Sequence, residues 1–464
     1  MTDRSSLSPA RDAAPASPPA PPPRLAALRH RDFRLMWLGQ VVSITGSQMQ
    51  LAAIGWHVYQ VLRGADLTVR VLGRDVPLHA EALGLGGLGL ANVIPIVLFA
   101  LVGGMIADSR DRRTVMLCTQ SALAVFAAGL AVFTLAGRAD VWVIYLFSAA
   151  TAAASAFNNP AQQSLIPHLV PREHLANAVS LNTLNWQIGT IVGPALAGIV
   201  VGALGDGPAA GTAGARGGSM LGLGVVYAVN AVSFVAVIVA LAAMRHRGAA
   251  PALAGGIGWR PLVEGLRFVR GQRLIWSTML LDFYATFFSS ARTMLPIVAG
   301  EILGVGVQGY GLLSAAAPVG AVAAGTLLAL RRTMDREGVV LLASVAVYGV
   351  ATAGFGLATG FWVAFVFYAL TGAADTVSTV IRATLRQTLT PDHLRGRMVG
   401  FNMMFFMGGP QLGELEAGLV AALFGAPFAI ASGGVATVAL TLWLAWRNPA
   451  LRRYASSREP PAPV

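Results

Sequence analysis

Six ionisable side chains stand inside stretches otherwise too apolar to carry charge: Asp282, Arg292, Asp375, Arg382, Glu414 and Glu416. A charged residue at the centre of a helix in lipid costs about 2.5–3.5 kcal/mol on insertion scales, so each must gain something from its site. A carboxyl group taken out of water can bind and release protons near neutral pH. Asp282, Asp375, Glu414 and Glu416 are therefore the candidates for proton coupling. Asp282 leads on position: counted from the start of its stretch near residue 273, it lies about 14 Å along a helix, close to a bilayer midplane. Asp375 is similarly deep, and Arg382 follows it seven residues on, two turns along one helix face. For Arg382, snorkelling to the cytoplasmic boundary is the preferred reading. Structural pairing is the alternative to a transport role for Asp282 and Asp375. Glu414 and Glu416 point about 200° apart on a helix, so at most one faces a given cavity.

Neutral polar groups form a second set. Gln48, Gln50 and His57 lie in the first apolar stretch, and Asn158, Asn159 and Gln162 in the fourth. They can hydrogen-bond a bound organic molecule, or equally join one helix to another. Trp56, Tyr59, Tyr284, Phe287 and Phe288 could wall a cavity or face lipid. The chemistry of enzymes is missing: no His cluster has metal-ligand spacing, no Ser/His pair stands out, and Cys118 is the one cysteine. A phosphate-binding P-loop needs a Lys, and all 33 basic residues are Arg. No catalytic residue, metal or cofactor is expected.

The elements that must position these groups follow from composition. Of 464 residues, 55% are apolar and 12% charged, against about 25% charged in a soluble domain. The mean hydropathy is +0.64. That excludes a soluble enzyme, a nucleic-acid-binding module despite the net charge of +12, and a disulfide scaffold. Twelve apolar stretches begin near residues 33, 82, 114, 141, 174, 219, 273, 308, 338, 361, 396 and 425. Backbone groups in lipid must be bonded internally, so each reads as a helix, and the chain as an all-α membrane protein. A cytoplasmic N-terminus leaves only Arg63, Arg70, Arg74, Arg138 and Arg216 outside, with Arg292 and Arg382 within spans. The positive-inside rule then places both termini in the cytoplasm of a multi-pass cell-membrane protein.

The expected organisation is a disordered tail (1–32), a first bundle (33–244), a basic linker (245–272), a second bundle (273–446) and a cytoplasmic tail (447–464). The Ala/Pro/Ser-rich residues 1–24 lack the apolar core of a signal peptide. The linker carries an amphipathic piece, RPLVEGLRFVRGQR. An internal repeat supports the division: Leu165, Leu169, Pro171 and Asn182 align with Leu385, Leu389, Pro391 and Asn402. Further on, Gly193-Pro194-Ala195-Leu196 matches Gly409-Pro410-Gln411-Leu412. Two related halves are a transporter design with substrate held between them near the midplane.

The run GGMIADSRDRRTVML, with Gly104, Asp108, Arg112 and Arg113, reads either as a topogenic anchor or as a charged cytoplasmic gate. It resembles the signature after the second helix of the major facilitator superfamily, with Ser109 for the usual Arg and Asp111 for the usual Gly. The Asp is similar to the enterobactin-exporter-like branch, also called the transmembrane secretion effector group. LGQVVSITGSQMQLAAIGWHVYQV, LLDFYATFFSSARTMLPIVA, RATLRQTLTPDHLRGRMVGFN and GGPQLGELEAGLVAALFG are similar to further segments of that branch. The loops 63–81 and 205–219 are longer than the pattern expects. GTIVGPALAG, with Gly189, Gly193, Pro194 and Gly198, resembles the antiporter motif of exporting members, with Ala197 where Gly is usual. Small residues four apart also serve ordinary helix packing.

The resemblance implies twelve transmembrane helices in two pseudo-symmetric six-helix halves, the major facilitator fold. It puts spans 1, 4, 7 and 10 around a central cavity, with Gln48, His57, Asn158, Asn159, Tyr284, Arg292 and Arg382 as lining candidates. It also implies a monomer that exports a drug- or siderophore-like organic molecule by alternating access, in exchange for protons. The alternatives are an uptake carrier or facilitator on the same fold, or a non-transporting membrane subunit that assists secretion.

Overall fold

The computed structural model describes residues 25–71, 74–205, 212–245, 267, 269–330, 336–390 and 395–454. Residues 1–24, most of the basic linker, residues 391–394 of the repeated loop and the last ten residues lie outside that description.

The first set of helices is α1 (Arg31–Leu62), α2 (Ala80–Ser109), α3 (Arg112–Leu135), α4 (Val141–Leu169), α5 (Leu175–Gly205) and α6 (Thr212–Ala243). The second is α7 (Arg273–Phe288), α8 (Ala291–Ile297), α9 (Gly306–Leu330), α10 (Glu337–Gly356), α11 (Phe361–Leu389), α12 (Arg395–Phe424), α13 (Ala426–Arg447) and the short α14 (Pro449–Arg453). Among the described residues nine helices are long and apolar enough to cross a membrane. Helix α1 has the length, at 32 residues, but buries Gln40, Gln48 and Gln50.

Local chemistry sets the helix ends. Asp111 caps α3: its Oδ1 accepts from the backbone N–H groups of Arg113 (2.8 Å) and Thr114, as an N-cap carboxylate does. Asp140 caps α4 through the Val143 N–H, 2.8 Å. Prolines inside α2, α4, α5, α9 and α12 are carried without ending the helix, which neighbouring helices permit in membranes.

Two regions differ from the sequence expectation. The stretch from 273 breaks at Ser289–Ser290, between α7 and α8, and α8 runs into a wide π turn over Val298–Ile302. At the break the Ser289 carbonyl accepts from the Tyr348 hydroxyl at 3.3 Å, a side chain entering the helical ladder, and the Ser289 hydroxyl shares a 2.7 Å hydrogen bond with that of Thr437. The all-α reading also misses an antiparallel hairpin, β1 (Asp66–Val71) and β2 (Arg74–His79), with Leu67 opposite Leu78 and Val69 opposite Val76. Its alternating apolar residues are the strand period of two.

Packing runs α1 against α5 and α6, α2 against α4, and α3 against α4 and α6 in the first set. In the second, α10 packs on α11 and α13, α9 on α11, and α7 on α12. The sets meet chiefly through α2 with α12 and α5 with α9. Glycine makes both meetings possible. A Cβ on Gly86 would stand 2.8 Å from Gly418 Cα, and one on Gly198 would stand 3.1 Å from Gly311 Cα.

Candidate functional site

A cavity of about 410 Å³ opens among α1–α6 and is completed by Gln411 of α12. Helix α1 contributes Gln40, Ser43, Ser47, Gln48 and Gln50, and α4 contributes Ser148, Thr151, Ser155, Asn158, Asn159 and Gln162. Gln40, Ser43, Ser47 and Gln50 recur at intervals of three and four, as do Ser148, Thr151, Ser155 and Gln162 with the Asn158–Asn159 pair between them. Each set is one face of a helix. Trp186, Phe234, Leu123 and Ile96 supply apolar wall. The lining is centred midway along α1 (40–54) and α4 (148–162) and extends toward the terminus-bearing ends on α3 (120–123) and α5 (182–186).

At the opposite ends the two helix sets close on each other. The Trp56 and Tyr310 rings stack at 5.4 Å between α1 and α9, and the Tyr310 hydroxyl donates to the Ala52 carbonyl, 3.0 Å. The Gly86–Gly418 and Gly198–Gly311 approaches lie on the same side.

The antiporter-like motif divides between two partners. Gly189 and Gly193 lie against Ile44, Thr45 and Gln48 of α1, whereas Gly198 and the Pro194 carbonyl face Gly311 of α9. The same ten residues thus hold α5 to its own set on one face and to the other set on the next.

The expected cavity candidates separate. Gln48, Asn158 and Asn159 line the cavity. His57 is fully buried away from it, its Nδ1 sharing a 3.1 Å hydrogen bond with the Tyr227 hydroxyl, which ties α1 to α6. Tyr284 is half-buried and edge-on to Phe283. Arg292 is exposed at the start of α8, within electrostatic reach of Glu414. Gln40, Asn92, Gln120, Asn230 and Gln411 are lining residues that the sequence reading did not single out. The stripes on α1 and α4 were a usable signal for the first of them; the others depend on how distant helices register.

Arg382 corrects an expectation. It does not snorkel to a boundary but is 3% exposed, its guanidinium paired with Asp282 of α7 and 3.6 Å from the Asp375 carboxylate. Nη2 also donates to Thr379 Oγ1 at 2.9 Å. Asp282 is buried, while the Asp375 side chain is 53% exposed. Two carboxylates therefore share one guanidinium between α7 and α11.

Glu414 lies over Gly89 where α2 meets α12: a Cβ on that glycine would stand 3.0 Å from Glu414 Oε2. Glu416 is half-buried on the same helix. Of the gate candidates, Arg112 is buried at the start of α3. Arg113 Nη2 donates to the Ala242 carbonyl in the last turn of α6, 2.9 Å, the favourable place for a cation at a helix C-terminus. Gly104 lies in α2, but it and the Asp108 side chain fall outside what is described.

A multi-spanning bundle of two helix sets, with a cavity in the first set and one end closed where the sets meet, has the architecture of a membrane carrier. The profile of the transmembrane secretion effector family matches residues 23–462. The chain belongs to that family, a branch of the major facilitator superfamily of transporters, and is not an enzyme. It is 26% identical over 434 residues to the enterobactin exporter EntS of Citrobacter koseri, covering 93% of this chain and 94% of the relative. The enterobactin exporter EntS of Salmonella choleraesuis is 25% identical over 426 residues, with 92% and 94% covered. Among solved structures, a bacterial homologue of the human lysosomal transporter Spinster, inward-facing and unoccupied, superposes with a TM-score of 0.67. That match is 16% identical and covers 93% of this chain and 99% of the other.

Proposed function

We propose that the protein is a secondary active exporter of small organic molecules in the cell membrane, working by alternating access and driven by inward proton flow. Its helices form twelve spans in two pseudo-symmetric six-helix halves, residues 33–244 and 273–446, joined by the linker 245–272, with both termini cytoplasmic. The working unit is a monomer, with substrate, protons and lipid as its partners. The observation that carries this reading is a cavity midway along the helices with one end closed. The ends away from the termini are closed by α2 on α12 and α5 on α9, the contacts that join the two proposed halves. Rocking one half against the other would open those contacts and close the cytoplasmic side. Kinship with enterobactin exporters favours the outward direction.

Proton coupling is assigned to the Asp282–Arg382–Asp375 cluster. One guanidinium balances one carboxylate, so a single proton on the other leaves the cluster neutral, and losing it favours a new arrangement. Glu414 and Glu416, and the gate of Gly104, Asp108, Arg112 and Arg113, are the second sites of this reading. In inverted membrane vesicles with an acidic lumen, enterobactin and a panel of hydrophobic antibiotics should accumulate, and adding a transported compound should dissipate the pH gradient. Transport that neither uses nor collapses the gradient would make the protein a facilitator.

A further inference from the structure

We infer that the cavity is a binding site for uncharged organic molecules rich in hydroxyl and amide groups, and that it discriminates against both anions and cations. The inference rests on the exporter reading only for the fate of the bound molecule; selectivity belongs to the cavity itself.

Charge carries the argument. Among the described residues, no Asp, Glu, Arg or His lines the cavity. The span-embedded charges are placed elsewhere: Arg382 is committed to Asp282 and Asp375 between α7 and α11, and Glu414 sits against Gly89. An ion leaving water for a pocket without a counter-charge loses its hydration and gains no partner. A neutral guest pays much less.

Hydrogen-bonding capacity points the same way. Most lining residues are carboxamides or hydroxyls set in a wall whose surface is largely apolar, and some of these groups are in use: Gln120 Nε2 donates to Asn158 Oδ1 at 3.2 Å, and Asn230 Nδ2 to Gln50 Oε1 at 2.8 Å. The groups open to a guest are those at the half-buried lining positions, Ser47, Asn92, Asn159, Gln162 and Asn182. Carboxamides and hydroxyls offer donors and acceptors together, so a guest that carries both kinds of group matches the wall. The volume falls within the roughly 300–1,000 Å³ of sites for drug-sized molecules.

The test uses a matched series: a coumarin-labelled Ser-Asn-Ser tripeptide, fully acylated and amidated, beside the same peptide with one free carboxylate and with one free ammonium. Binding to the purified protein in lipid nanodiscs is read by coumarin anisotropy. The neutral form should bind at least tenfold more tightly than either ion. Gln162→Glu, which places a carboxylate on the cavity wall at a half-buried position, should improve ammonium binding at least tenfold. Gln411→Glu provides the same readout should the first variant fold poorly. Ions binding as well as the neutral form, or no binding by the neutral form, would overturn the inference. Export of the series from energised vesicles separates the two readings. A neutral peptide that binds but is not moved defeats the exporter and leaves the site, and exported ions defeat the inference and leave the exporter.

Discussion

Arg382 holds two acidic side chains in place, and removing it leaves Asp282 buried without its ion-pair partner, Arg386 being the cation still within electrostatic reach. Loss of one partner from a buried pair costs about 3–5 kcal/mol. Arg382→Gln should therefore lower the unfolding temperature in detergent markedly, and adding Asp282→Asn should restore most of it. An Arg382→Gln variant as stable as the parent would show that the pair is solvated. On the transport side, Asp282→Asn should abolish efflux driven by a pH gradient while substrate binding persists, with Asp375→Asn and Glu414→Gln as the next most affected. If all three variants kept gradient-driven efflux, carboxylates within the spans would have no part in coupling. The sequence exposes these charges because they interrupt long apolar runs. It does not reveal that Arg382 reaches Asp282, because the register of α7 against α11 is set by packing over a hundred residues of intervening chain.

At the scale of elements, closure rests on backbones that touch. A Leu at position 198 would drive a side chain into Gly311 of α9, and overpacking of this kind costs about 1–3 kcal/mol. The cost falls only on the arrangement in which α5 and α9 meet, so the equilibrium should move toward the state open on that side. In a Cys118→Ser background, a cysteine replacing Ala82, buried where α2 meets α12, should react slowly with a membrane-impermeant maleimide, and adding Gly198→Leu should speed that reaction several-fold without loss of expression. Unchanged reactivity would mean that α5–α9 contact does not control closure of α2 on α12. His57 is a contrasting case: as a bond between α1 and α6, its replacement in His57→Phe should cost about 1 kcal/mol and leave efflux intact. Helix positions are legible because each needs some twenty apolar residues. The polar stripes of α1 and α4 are legible too, through their spacing of three and four. The break at Ser289–Ser290 is not, since the groups that meet it, Tyr348 and Thr437, are distant in sequence, nor is the hairpin, whose two six-residue strands are too short to stand out.

For the whole molecule, orientation decides what the cavity is for. A carrier caught with its cavity toward the cytoplasm is ready to load cargo for export, whereas the inverted placement would have it loading from outside. The proposed orientation rests on arginine: with the termini inside, Arg63, Arg70, Arg74 and Arg138 fall on outer connections and Arg216 near the start of α6, and translocating a basic loop is disfavoured. Three of these five lie on or beside the β hairpin, Arg63 and Arg70 exposed and Arg74 next to its turn, with Arg70 3.8 Å from Asp75 across the strands. Reporter fusions ending after Arg273 should therefore report cytoplasm, and those ending after Glu301 the outside. In intact cells, a cysteine at Ser155, half-buried on the cavity wall, should resist a membrane-impermeant maleimide. The same cysteine should react when inverted vesicles present the terminus-bearing face. Labelling from the outside of intact cells, together with reversed reporters, would turn the molecule over and make an uptake carrier the better account of the same fold.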